Sequence, residues 1–144
     1  MWAVPVESGW TPVIDRDGVN QLKKANGCRL TTTQNASGSS GTDEAATATL
    51  VESARQEYRR QAVELSSQDG TPIFFPVGPA GTGALEFAVL LVSYRNRDTN
   101  TMFGSVFAVR VMPTTGVVLS ATLSCPKELM AAELAVMTKL TIQP

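Results

Sequence analysis

The spacing of apolar residues changes along the chain and separates a helical region from a strand-rich one. From Asp43 to Ser67, apolar side chains recur every three to four residues, which is the spacing of one face of an α-helix. Thr42 is a good N-cap residue, and Asp43 and Glu44 suit the positive end of the helix dipole. The pattern therefore predicts a long amphipathic helix over residues 43–67.

After this helix the apolar residues alternate with a period of two, as in β-strands. Short connections favour antiparallel pairing of four predicted strands, Thr71–Val77, Glu86–Tyr94, Met102–Met112 and Val117–Leu123. The segment from Phe87 to Tyr94 is apolar on both faces, which indicates a central strand that is either covered on both sides or lies across a pocket. In the next strand Gly104, Ala108 and Arg110 share one face, where small residues let a helix or a ligand approach closely.

The two ends of the chain carry shorter elements. Strands are predicted at Trp2–Val6, Trp10–Ile14 and Cys28–Gln34, the first as an edge strand because it contains proline. Residues 35–42 are rich in Ser and Gly and predict a flexible connector. Pro126 is suited to a first helical turn and opens a predicted helix, Pro126–Leu140. The two methionines on its apolar stripe fit either core packing or an adaptable binding surface.

These segments predict an α+β fold, in which an antiparallel β-meander packs with one long central helix and a C-terminal helix. The 144 residues are enough to bury one core, so residues 1–144 are interpreted as a single domain.

Composition excludes several classes of function. A net charge of −1 with scattered Lys and Arg argues against nucleic acid, which needs an excess of basic residues on one face. The chain has no histidine, and therefore lacks the commonest general base and transition-metal ligand. We expect no catalysis, no cofactor and no metal site. The longest apolar run, residues 87–92, is too short to cross a membrane.

A glycine-rich loop at residues 78–83 has the glycine spacing of a nucleotide-binding P-loop. In a P-loop the next two residues are Lys and Ser or Thr, which bind phosphate and Mg²⁺, whereas here they are Ala84 and Leu85. The loop is therefore interpreted as a connection between two strands. The run from Asp15 to Gly18 resembles the start of a calcium loop, but its glycine position predicts a hairpin turn instead.

Cys28 and Cys125 lie far apart in the chain, each beside a residue that is typical of turns or of the ends of helices and strands. In a cytosolic protein they would be two small buried apolar residues. In an exported protein they would form a disulfide worth about 4–5 kcal/mol in the chain-entropy model. We favour the disulfide, because the flanking segments are polar and the core is modest. The localisation predicted from it is extracytoplasmic, in a chain whose signal peptide has been trimmed away.

The order of elements resembles the PsbP-like α/β/α sandwich. The residues that carry the resemblance are Val4-Pro5, Gly9-Trp10-Thr11-Pro12, Gly27-Cys28-Arg29-Leu30, and the run from Gly116 to Leu123 before Cys125-Pro126. This fold occurs in a photosystem II subunit and in small bacterial envelope lipoproteins, most of which are non-catalytic. The resemblance implies an exported accessory protein, compatible with a membrane tether outside this sequence, and transfers no site residues. A cystatin-like or nuclear-transport-factor-like sheet also fits this order.

The favoured hypothesis is an exported, non-enzymatic binding or accessory domain. Its partner is predicted to be a protein or a small apolar ligand. The predicted working surface is the open side of the sheet, with Phe103, Phe107 and Arg110, together with Gly81 and Gly83 of the glycine-rich loop.

Two alternatives belong to other functional classes. The first is a subunit of an envelope or secretion assembly that pairs with a neighbour through the edge strand at Trp2–Val6. The second is a histidine-free enzyme, in which Glu86 works with Asp98 or Asp69 as an acid/base pair.

Overall fold

The computed structural model describes residues 1–5, 7–79 and 83–143. The strands are β1 Trp2–Ala3, β2 Trp10–Arg16, β3 Val19–Lys24, β4 Arg29–Ala36, β5 Val63–Asp69, β6 Ile73–Pro76, β7 Ala84–Asn96, β8 Thr101–Met112, β9 Val117–Pro126 and β10 Thr141–Ile142. Helix α1 spans Asp43–Gln61. Residues 127–139 form a C-terminal helical segment, in which helix α2 (Met130–Glu133) lies between the 3₁₀ turns Lys127–Leu129 and Leu134–Lys139.

One antiparallel sheet organises the molecule. Its strand order is β2-β3-β4-β9-β8-β7-β5, and β6 pairs with residues 84–87 of β7. The consecutive strands β7, β8 and β9 form the predicted meander, and the N-terminal strands extend the sheet beyond β9. The predicted α+β class is therefore confirmed.

Helical elements cover the two faces of the sheet. Alternate residues of β7 point to opposite faces, so that Leu90 and Val92 pack with Val51 of α1. Phe87 and Val89 belong to the cluster on the other face, which includes the C-terminal helical segment. The prediction that β7 is central and covered on both sides is thus correct.

The larger core lies on the face opposite α1. The rings of Trp2 and Phe87 pack around Phe75, with centroid separations of 5.1 Å and 4.9 Å. Val136 and Leu140 anchor the C-terminal helical segment in the same cluster. This anchoring fixes the position of the helical segment over β8 and β9.

Helix α1 is shorter than the helix predicted over residues 43–67, since it ends at Gln61. Ala62 is already extended, and the following residues form β5, which pairs with β7. The register of β5 shifts between Val63 and Ser66, and Glu64 between them has a left-handed φ of 53°. Pairing with β7 satisfies the backbone of this segment without helical hydrogen bonds.

Other predicted boundaries also differ from the structure. Strand β3 was not predicted, since Leu22 is its only fully buried side chain. Asn35 and Ala36 belong to β4, so the predicted connector 35–42 begins too early. Pro126 ends β9 rather than opening a helix, and most of the predicted C-terminal helix is 3₁₀.

The predicted edge strand at Trp2–Val6 is shorter than expected. Trp2 and Ala3 pair with β10 of the same chain, and Val6 lies outside the described residues.

Candidate functional site

A groove lies between the C-terminal helical segment and the sheet face opposite α1. Its floor is formed by Leu91 and Ser93 of β7 and by Gly104 and Val106 of β8. Register places Ser93 opposite Gly104 and Leu91 opposite Val106, so each pair forms one row across the floor. Ser66 and Gln68 of β5 extend these two rows to the sheet edge.

Side chains of the C-terminal helical segment form the roof of the groove, namely Lys127, Met130, Ala131 and Leu134. Ion pairing holds this segment at its outer side. The carboxylate of Glu133 accepts hydrogen bonds from Lys24 Nζ at 2.8 Å and from Asn26 Nδ2 at 2.9 Å. The roof is therefore tied both to the β3–β4 turn and to the core.

The groove has a volume of about 590 Å³, within the range of small-molecule sites. Gly104 creates part of this space, since a Cβ atom there would lie 3.6 Å from Met130 Cε. Leu134 in the roof is 38% exposed, so part of its apolar surface is free to contact a ligand in the groove. Size and apolar character make this groove the strongest candidate site.

The hydroxyl of Ser93 is a buried polar group on the floor of the groove. Its Oγ has no hydrogen-bond partner among the described residues. Ser105, on the other face of β8, shares a 2.7 Å hydrogen bond with Ser124. Buried hydroxyls are normally hydrogen-bonded, and this one is closed off from solvent, so Ser93 Oγ can meet a ligand group only after its side chain turns toward the groove.

The described residues that line the groove carry charge of one sign only. Lys127, at the rim, is the one ionisable side chain among the described residues that line it. Lys127 forms no ion pair within the part of the chain that the structure describes. Among the described lining residues, the groove therefore presents an unpaired positive charge and no negative one.

The predicted site residues Phe103 and Phe107 lie on the other face of the sheet. Phe107 packs in the cluster beneath α1, and Phe103 is buried with its ring 6.2 Å from that of Tyr94. The expectation that they line an open sheet face is wrong, because α1 covers this side of β7 and β8.

Arg110 lies at the N-terminal end of α1, away from the groove. It donates hydrogen bonds to Asp43 Oδ2 at 2.7 Å and to the backbone oxygen of Glu86 at 2.9 Å, and these three residues line a smaller cavity of about 350 Å³. Its Nε atom is buried and has no hydrogen-bond partner among the described residues. Arg110 therefore joins α1 to β7 and β8.

The glycine-rich loop is described only at its ends. The carbonyl of Gly83 accepts a hydrogen bond from the Val77 amide at 3.0 Å, whereas Gly81 lies outside the described residues.

The carboxylates of the enzyme hypothesis are not brought together. Glu86 lies near the start of β7 and Asp98 lies in the turn after its last residue, Asn96, which is about ten residues or about 33 Å of strand from Glu86. Asp69 pairs opposite Leu90, roughly four residues or about 13 Å from Glu86. Its carboxylate accepts a 2.7 Å hydrogen bond from Arg55. No acid/base pair is assembled from these residues.

Four side chains with shifted pKa values do not line the groove. A hydrogen bond from Arg95, together with its charge, lowers the pKa of Glu64, and the same contact raises the pKa of Arg95. The pKa of Arg55 is raised chiefly by its hydrogen bond to Asp69. Burial is the main reason that the pKa of Tyr58 is raised.

Cys28 and Cys125 form the predicted disulfide, and both are almost fully buried, at 1% and 0% exposure. Cys125 pairs opposite Gly104, so the disulfide continues the row that contains Ser93. The cystine therefore fixes the sheet beside the groove.

The described residues contain no group of three or more His, Cys, Asp or Glu arranged to hold a metal ion. None of the helices in the described part of the chain is long and apolar enough to cross a membrane.

In comparisons with known proteins, the chain matches no protein-family model, and no curated protein gives a significant match. Function must therefore be inferred from the residues and their geometry.

Sequence reasoning missed Ser93, Lys127 and Leu134 as site residues. One signal did point to the groove, namely the small residues Gly104 and Ala108 on one face of β8. The structure places Met130 above Gly104, as a closely approaching helical segment requires.

Proposed function

We propose that this protein is a non-enzymatic domain that binds a small apolar ligand outside the cytoplasm. The groove beneath the C-terminal helical segment is the observation that carries the proposal, because it combines apolar walls with sufficient volume. The ligand would cover the exposed side of Leu134 and lie on the floor between Leu91 and Val106.

The buried disulfide supports an extracytoplasmic location. Cytosolic reductants keep most thiols reduced, whereas a disulfide between distant residues persists in an oxidising compartment. Helical elements on both faces of the sheet support the proposed PsbP-like relationship, whose members are mostly non-catalytic. A lipid tether outside this sequence is part of the same proposal.

Binding without catalysis is supported by the composition of the chain and of the groove. The chain has no histidine, and Lys127 is the one ionisable side chain among the described residues of the groove. The carboxylates considered for catalysis lie apart on β5, β7 and the following turn. The same groove retains what binding needs, which is an apolar surface with a few polar contacts.

Saturable binding of an uncharged fluorescent probe, N-phenylnaphthylamine, tests the proposal. We expect one probe molecule per chain with a rise in fluorescence. Gly104→Val should lower the affinity by about tenfold or more, because its side chain extends into the groove. A Cβ atom at Gly104 makes only ordinary contacts and its φ is not left-handed, so the variant should remain folded.

Thr122→Val is the matched control. Thr122 lies on β9 opposite Phe107, on the face of the sheet that does not line the groove, so this variant places the same side chain, valine, in the sheet without entering the groove. This variant should bind the probe like the wild type. Absence of saturable binding to the wild type would overturn the proposal and favour a subunit that acts only through protein contacts.

A further inference from the structure

We propose that the ligand is an anionic amphiphile, with an acidic head group at the Ser93 end of the groove and an aliphatic tail toward Leu91. This inference rests on the proposed function and names the ligand class of the same groove. Its basis is a polarity gradient along the floor, which strand register defines.

The polar end of the groove is the row that contains Ser93 and Gly104. Lys127 lies at the same end of the groove. Phe103 is the neighbour of Gly104 and pairs opposite Pro126, and Lys127 is the next residue after Pro126. The roof contributes its one positive charge here, above an unpaired buried hydroxyl. Lys127 supplies charge for a carboxylate, and rotation of the Ser93 side chain into the groove lets its O–H, closed off in the ligand-free protein, donate a hydrogen bond to the same group.

The apolar end is the next row, formed by Leu91 and Val106, with Gln68 beyond Leu91 at the sheet edge. Two residues along a strand separate the rows by about 7 Å, so one small molecule can span both. Met130 and Leu134 supply an apolar roof. The 590 Å³ groove is large enough for a compact aliphatic tail.

The sign of the ligand charge follows from the lining residues. No carboxylate occurs among the described residues that line the groove, so a cationic head group would meet Lys127 without a counter-charge. A neutral head group could use Ser93 but would gain nothing from Lys127. An acidic head group uses both.

Displacement of bound N-phenylnaphthylamine by dodecanoate, dodecanol and dodecylamine tests this inference, at concentrations below micelle formation. Dodecanoate should bind about tenfold more tightly than dodecanol, and dodecylamine more weakly than either. Lys127→Gln should weaken dodecanoate binding about threefold and leave dodecanol unchanged. Ser93→Ala should weaken dodecanoate binding about tenfold.

Lys23→Gln is the control for charge, since Lys23 is an exposed lysine on β3 and does not line the groove. It should leave the preference for dodecanoate intact. Equal binding of dodecanoate and dodecanol, unchanged by Lys127→Gln, would refute the anionic ligand while leaving an apolar binding domain in place. Failure of the probe and all three amphiphiles to bind the wild type would refute the proposed function as well.

Discussion

Two serines on neighbouring central strands show how a hydroxyl can serve structure or ligand binding. Ser105 bonds with Ser124 at 2.7 Å and is satisfied within the fold. Ser93 is buried in the groove and has no partner among the described residues. An unsatisfied buried hydroxyl costs about 1–3 kcal/mol, so retaining it in the free protein lowers stability. Such a cost is typical of sites that are organised to receive a ligand.

Ser93→Ala should therefore stabilise the ligand-free protein, by about 1 kcal/mol, because it removes a polar group that folding leaves unpaired. The measurement is the free energy of unfolding from urea titrations. Ser105→Ala is the control, and its loss of a hydrogen bond should destabilise the protein by about 1 kcal/mol. A loss of stability in Ser93→Ala as large as that in Ser105→Ala would show that Ser93 has a structural partner.

Sequence alone could locate part of this groove. Alternation in β8 put Gly104 and Ala108 on one face and indicated close approach by a helix or a ligand. It could not identify Ser93, because the absence of a hydrogen-bond partner depends on both neighbouring strands: Gly104 on β8 has no side chain, and Ser66 on β5 lies opposite Ser93 without bonding to its hydroxyl. Phe107 was assigned to an open face, since sequence does not reveal over which strands α1 lies.

At the scale of elements, the end of α1 shows where periodicity fails. Leu65 falls at helical spacing from the apolar stripe of α1, yet it lies in β5. Pairing of β5 with β7 decides the outcome, and a pairing between distant segments cannot be recognised from local spacing. Strands β7, β8 and β9 were predictable, because their alternation is strong and their connections are short.

The irregular start of β5 carries a pH-sensitive contact. Arg95 donates a 2.9 Å hydrogen bond to Glu64, which lowers the pKa of Glu64. A carboxyl whose pKa is lower in the folded state contributes stability above its unfolded pKa, and this contribution is lost as the pH falls through its folded pKa. The contribution is small, because the side chain of Glu64 is 55% exposed and solvent screens the pair.

Glu64→Gln should therefore lower the unfolding temperature slightly at neutral pH and by less in acid, where wild-type Glu64 is protonated. The measurement is thermal unfolding of both proteins across the acidic range. Glu57→Gln, at an exposed helical ion pair with Arg60, serves as the comparison. A difference between wild type and Glu64→Gln that grows as the pH falls would contradict the assigned direction of the pKa shift.

For the whole molecule, the disulfide joins parts of the chain that are distant in sequence. Cys28 follows the turn after β3, and Cys125 lies near the end of β9, 97 positions further along the chain. The bond therefore ties the N-terminal strands to the strand that continues into the roof of the groove. Because Cys125 opposes Gly104, this bond also fixes the polar end of the groove floor.

Reducing this disulfide should lower the free energy of unfolding by about 4–5 kcal/mol, since the unfolded chain regains the freedom of a long loop. Both cysteines are buried, so reduction requires equilibration with reductant through the urea transition, and mass spectrometry confirms the two thiols. The double variant Cys28→Ala, Cys125→Ala should show a similarly low stability, and reductant should not change it. An unchanged urea midpoint for the fully reduced wild type would show that sheet pairing and the two cores alone hold the groove together.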